Sequence, residues 1–165
     1  MNSAQQPTVL VGVDGSVASR AALSWAADEA RQRHARLRIV SAWEPEFRAP
    51  YAPADCPSAD QQRSAAGAEL AAAMRAAFGS DCPAGVTAEL TRGNAERTLV
   101  DRSADADLLV LGSGPPPGPA GRLIGPVIQT CLSHAGCPVV VVSRPGHPGS
   151  PAGRHDRAAA GSPPG

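Results

Sequence analysis

The 165-residue chain contains no lysine; its fifteen basic residues are all arginine. That absence excludes a P-loop, whose lysine reaches the phosphates. Aromatics are scarce, at 3% of residues, so a core has to be built from Ala, Val and Leu. Neither sign of charge is in excess, with 15 acidic and 15 basic residues. This balance argues against a nucleic-acid-binding surface and against a polybasic membrane patch. No apolar run reaches the roughly 18 residues of a membrane span, and the N-terminus lacks a signal-peptide pattern, so the expected setting is the cytoplasm with no membrane contact. None of the four cysteines (Cys56, Cys82, Cys131, Cys137) forms a CxxC pair. In a reducing compartment they read as packing or incidental thiols. No Ser-His-Asp set, paired carboxylates or zinc spacing stands out, and the length leaves room for one domain with a core.

What is present is an alternation of apolar runs and amphipathic segments. Residues 1–7 read as a flexible lead. Thr8–Val13 is a continuous apolar run suited to a central parallel strand. Asp14-Gly15-Ser16 ends it, with Ser16 as N-cap of a helix expected over Val17–His34. Ala22, Ala26 and Ala30 form a stripe on that helix, with Leu23 and Trp25 beside it. Leu37–Ala42 predicts a second strand, Trp43–Pro57 a loop, and Ser58–Phe78 a helix with Ala66, Leu70, Ala73 and Ala77 inward. Val86, Ala88 and Leu90 alternate with polar residues, predicting an edge strand with one buried face. Asn94 caps a short helix to about Ser103, with Ala95 and Leu99 inward.

A strand at Asp107–Leu111, a Gly/Pro loop from Gly112 to about Arg122, a helix and a strand at Val139–Val142 follow. In that helix Ile124, Val127, Ile128, Cys131 and Leu132 make the expected apolar face, and His134 sits near its end. A glycine loop between a strand and a helix start is a potential phosphate cradle. From residue 144 to 165 the chain is rich in Pro and Gly and reads as a disordered tail. Alternating elements of this size predict a doubly wound parallel sheet whose ligands bind at the carboxyl ends of the strands.

The segments VLVGVDGSVASRAALSWAADEA and DADLLVLGSG…LIGPV…SHAGCPVVVV resemble the opening and closing elements of the universal stress protein family. The resemblance runs from about Pro7 to Arg144. It implies a flavodoxin-like open five-stranded parallel sheet of order 3-2-1-4-5 with helices on both faces, in a domain over residues 8–143. It also implies a cytoplasmic stress-response regulator, not an enzyme, that forms a homodimer through the Val139–Val142 edge and acts on a regulatory protein partner. Members carrying a Gly-x2-Gly-x9-Gly-Ser/Thr motif bind ATP. Carried onto this chain, the contacts fall on Gly12, Val13, Asp14 and Ser16 after the first strand and on Val40 and Ala42 after the second. Gly112, Ser113, Gly114, Gly125 and Val127 supply the rest around the glycine loop.

Gly112 and Gly125 keep the first and third motif glycines, and the nine-residue spacer Pro116–Ile124 is intact. The second glycine position holds Pro115 and the hydroxyl position holds Pro126. Proline has no N–H and blocks the close backbone approach of glycine. A hydrogen bond to a charged group is worth about 1.5–3 kcal/mol. Two or three losses weaken a triphosphate by roughly 3–6 kcal/mol, or about two to four orders of magnitude in affinity. ATP is therefore expected to bind weakly, and slow hydrolysis would require it to bind at all. The alternative is a dimeric interaction module without nucleotide. A hydrolase or ligase of related folds is disfavoured because the Ser-Gly-Gly-x-Asp-Ser loop is replaced by VDGSVAS. Two readings of Asp14 stay open, a nucleotide contact or a turn carboxylate favoured by the helix dipole.

Overall fold

The structure, a computed structural model, describes residues 6–45, 57–114 and 124–143. Strands β1 (Thr8–Gly12), β2 (Arg36–Trp43), β3 (Val86–Arg92), β4 (Leu108–Ser113) and β5 (Val139–Ser143) form one sheet. All the pairings are parallel and the order is β3-β2-β1-β4-β5, the flavodoxin-like order expected. Helices α1 (Val17–Gln32), α2 (Ala59–Phe78), α3 (Ala95–Ser103) and α4 (Pro126–His134) alternate with the strands.

Each strand sends successive side chains to opposite faces, so the sheet has two cores. On one face Val9, Val11, Leu37, Ile39, Leu108 and Val110 pack under α1 and α2, against Ala22, Leu23, Ala26 and Leu70. On the other, Leu10, Val40, Leu109 and Leu111 pack with Leu99 of α3 and Ile128 and Cys131 of α4. The alanine stripe of α1 is fully buried at Ala22 and Ala26, which lets that helix lie close to the sheet. The Asp107 carboxylate accepts the Thr8 N–H at 2.7 Å, tying the starts of β1 and β4 together.

Several boundaries differ from the sequence expectation. α1 stops at Gln32, because His34 turns into the left-handed region (φ 52°). There His34 N–H donates to the Arg31 carbonyl and Ala35 N–H to the Ala30 carbonyl, the paired bonds of a Schellman close. β4 runs on through Gly112 and Ser113, which pair with Val142 and Ser143 of β5 instead of starting the loop. Ile124 precedes α4 and is exposed, as is Leu132, so neither belongs to the apolar face assigned to them. Ala88 is also exposed, since β3 ends the sheet and only Val86 and Leu90 of that face reach the α1–α2 core. The lead at residues 1–5, most of the loop over 46–56, the proline loop over 115–123 and the tail from Arg144 lie outside the described residues.

Candidate functional site

The chain order reverses between β1 and β4: β2 and β3 lie to one side of that pair and β5 to the other. Their carboxyl ends, with the starts of α1 and α4, leave a crevice of the kind that binds ligands in open α/β sheets. The crevice is real: a cleft of about 330 Å³ is lined by residues from β1, β2, β4, α1, α3 and α4.

The cleft is built from close backbone approaches. Gly12 has no Cβ, and one added there would come within 3.0–3.2 Å of the Leu111 and Leu99 side chains. Gly112 is under a stricter demand. A Cβ on it would stand 2.2 Å from the Ala18 carbonyl oxygen and 2.7 Å from the Ser19 nitrogen, so β4 ends directly against the first turn of α1.

The turn from β1 to α1 is tied by its own polar groups. Gly15 takes φ 79°, which favours glycine. The Ser16 hydroxyl accepts the Ser19 N–H at 3.1 Å as the N-cap of α1, and the Ser16 N–H donates to Asp14 Oδ1 at 3.0 Å. The Ser19 hydroxyl donates to the Ser16 carbonyl and accepts the Asp14 N–H. Arg20 donates to the Gly15 carbonyl at 2.9 Å. Burial works to raise the Asp14 carboxyl, but hydrogen bonds from Ser16 and Ser19 outweigh it and hold the group below its ordinary range. Asp14 is thus an anion at neutral pH, facing the cleft.

α4 begins at the cleft mouth with Gly125 as N-cap and Pro126 at the first helical position. Proline is well placed there for the helix, since that N–H has no intrahelical acceptor anyway. Gln129 N–H bonds back to the Gly125 carbonyl. The donors that remain ahead of that bond are the amides of Gly125, Val127 and Ile128. Among the described residues no side chain caps this end.

Of the residues assigned from sequence, Gly12, Val13, Asp14, Val40, Ala42, Gly112, Ser113, Gly114, Gly125 and Val127 all line the cleft. Ser16 does not line it; its hydroxyl is spent on the α1 cap. Ser19, Ala95, Leu99, Leu111, Pro126 and Ile128 line it as well and were not assigned. Leu99 had a signal, the inward face of α3, while Ser19 follows its cap by three residues and reads from sequence as ordinary helix. Val13, Val40, Leu99, Leu111, Val127 and Ile128 give the cleft apolar walls, with polar groups gathered at Asp14, Ser19, Ser113 and the α4 start.

The described cysteines, Cys82, Cys131 and Cys137, do not line the cleft. Cys131 is fully buried in the α4 core, and burial pushes its thiol up to about 11. Among the described residues no three His, Cys, Asp or Glu side chains gather to hold a metal, and no helix is long and apolar enough to cross a membrane. A larger hollow of about 630 Å³ lies at the opposite end of the sheet, between the C-terminal ends of α1 and α2.

Compared with known proteins, this chain matches the family model for the universal stress protein family over residues 7–143. The chain belongs to the universal stress protein family. A universal stress protein of Mycobacterium tuberculosis is 36% identical over 137 residues, which cover 83% of this chain and 45% of the relative. This universal stress protein chain therefore spans about half the length of the curated relatives it matches. In structure it resembles a universal stress protein from Lactobacillus plantarum, with a TM-score of 0.66, 23% identity and 84% and 99% of the two chains covered. It also resembles one from Archaeoglobus fulgidus solved in complex with dAMP, with a TM-score of 0.58, 22% identity and 83% and 97% covered. These structures share its fold.

Proposed function

We propose that this universal stress protein domain is a cytoplasmic stress-response regulator whose cleft binds an adenine nucleotide and holds a triphosphate weakly. The observation that carries the reading is the convergence of every sequence-assigned contact except Ser16 on one cleft at the β1–β4 switch point. Apolar walls at Val13, Val40 and Ala42 suit a flat base, and the Asp14 carboxylate suits ribose hydroxyls, which can donate to it. The fold neighbour from Archaeoglobus fulgidus was solved with dAMP, a nucleotide of the same class. Pro126 supports weak phosphate binding, because it sits at the α4 start with neither N–H nor hydroxyl. No chemistry is assigned to the cleft, and hydrolysis of ATP would depend on that weak binding. Denaturing freshly purified protein and analysing the released nucleotides tests the reading. An adenine nucleotide in the supernatant is expected, and neither released nucleotide nor heat on titration with ATP or AMP would contradict it.

A second reading, an interaction module acting through its dimer face on a regulatory protein, is favoured by β5. Among the described residues this strand ends the sheet and pairs with β4 alone, with Val139–Val142 left half-buried. Such an edge can pair with a second chain.

A further inference from the structure

We infer that Ser19 is the positioning residue of the cleft, holding the β1–α1 turn so that the Asp14 carboxylate is aimed at a bound ribose; the inference rests on the adenine-nucleotide reading above. The turn needs such a hold. Asp14 and Ser16 flank Gly15, which takes φ 79° and has no side chain to restrict its torsions. The Ser16 N–H donates to Asp14 Oδ1 at 3.0 Å, so the carboxylate follows wherever Ser16 moves. The Ser19 hydroxyl spans that pivot. It donates to the Ser16 carbonyl at 3.0 Å on one side of Gly15 and accepts the Asp14 N–H at 3.4 Å on the other. Both sides of the flexible residue are thereby pinned to one oxygen atom.

Ser19 can hold the turn because it is itself held. Its residue is 4% exposed, and its N–H donates to the Ser16 hydroxyl at 3.1 Å. Its backbone lies against the end of β4, since a Cβ on Gly112 would stand 2.7 Å from the Ser19 nitrogen. A hydroxyl fixed by packing on a helix and a strand anchors a functional group more firmly than one on a mobile rim. The close approach at Gly112 is therefore passed through Ser19 to Asp14, and the place where β4 ends sets where the carboxylate points. The charge on Asp14 reflects the same arrangement. Burial works to raise its carboxyl, and bonds from Ser16 and then Ser19 hold it below its ordinary range.

Isothermal titration with AMP tests the inference on the whole chain, with Ser19→Ala compared against Ser103→Ala. Ser103 is likewise a buried serine with two bonds, donating to the Val100 carbonyl at 2.6 Å and accepting the Gly136 N–H at 2.9 Å, but it does not line the cleft. Both variants should unfold at lower urea, and only Ser19→Ala should weaken AMP, by about tenfold. In an Asp14→Asn background the same Ser19→Ala change should alter affinity by less than about twofold, because the charge it aims is gone. A carbon NMR titration of the Asp14 carboxyl reads the hold without ligand. It should titrate below 3.8 in the natural sequence and move up in Ser19→Ala. Unchanged AMP affinity or an unmoved Asp14 titration in folded Ser19→Ala, a loss as large in Ser103→Ala, or an equal loss in the Asp14→Asn background overturns the inference and leaves the nucleotide reading standing. Failure of AMP to bind the natural sequence overturns the nucleotide reading itself and this inference with it.

Discussion

Gly112 carries the tightest steric demand on the cleft. Its missing Cβ is where the end of β4 meets the backbone of Ala18 and Ser19, and backbone cannot swing aside as a flexible side chain can. Gly112→Ala is expected to push α1 off the sheet and destabilise the domain by about 1–3 kcal/mol, read as a lower midpoint in urea unfolding. A second residue-scale prediction concerns Glu89 on β3. Its carboxylate accepts hydrogen bonds from Arg102 and Thr91 and pairs with Arg38 at 3.1 Å. The Arg102 bond, foremost, and the Thr91 bond hold the Glu89 pKa down to about 2 against an ordinary 4.5. A carboxyl depressed by folding stabilises the fold fully above its unfolded pKa and loses that contribution as pH falls through its folded pKa. Stability should therefore decline between about pH 4.5 and 2, and Glu89→Gln should flatten that part of the curve. Because the side chain is 32% exposed, the loss should be on the order of 1 kcal/mol, well short of the full shift.

Among the elements, the two helices that open on the cleft divide its labour. The α1 start is capped by the Ser16 hydroxyl, which accepts the Ser19 N–H, and turns its polar groups on itself. Ser16→Ala should cost about 1 kcal/mol of stability while leaving nucleotide affinity nearly unchanged, because Ser16 does not line the cleft. A large affinity loss in a folded Ser16→Ala protein would contradict that division. The α4 start behaves oppositely. Pro126→Ser restores an amide and a hydroxyl at the cleft mouth, and one added charged hydrogen bond should tighten ATP by about tenfold. Adding Pro115→Gly should carry the gain further, and titration of both variants checks it.

These elements also show which parts were legible in the sequence. β1 and α1 were readable because Thr8–Val13 is a buried-type run and the alanine stripe has one period. The sheet order was not in the periodicity and came from the family resemblance. The carboxyl end of β4 is not legible in the sequence because Gly112 and Ser113 look like loop, and only pairing with Val142 and Ser143 makes them strand. Ile124 and Leu132 failed for a related reason, since helical spacing alone does not say where α4 starts or which flank a neighbour covers. Ser19 was invisible because its role comes from the turn geometry around Asp14.

For the whole molecule, the sheet has two unlike edges. β3 carries Glu89 and a polar, partly exposed face, while β5 is a valine run. Association through β5 predicts, in light scattering, a mass of twice the chain's 16.7 kDa, and a monomer at high micromolar concentration would contradict it. The central claim, however, is that the β1–β4 cleft holds an adenine nucleotide. Gly125 offers the cleanest way to test it, because its φ of −74° suits any residue and an added Cβ would meet none of the described residues within 4 Å at the cleft mouth. Gly125→Trp should therefore fold normally and fill the cleft. Isothermal titration with AMP should give saturable binding of one nucleotide per chain in the natural sequence and none in Gly125→Trp. Binding of equal strength in both proteins would place the nucleotide elsewhere, and no binding in the natural sequence would leave the cleft without the ligand assigned to it.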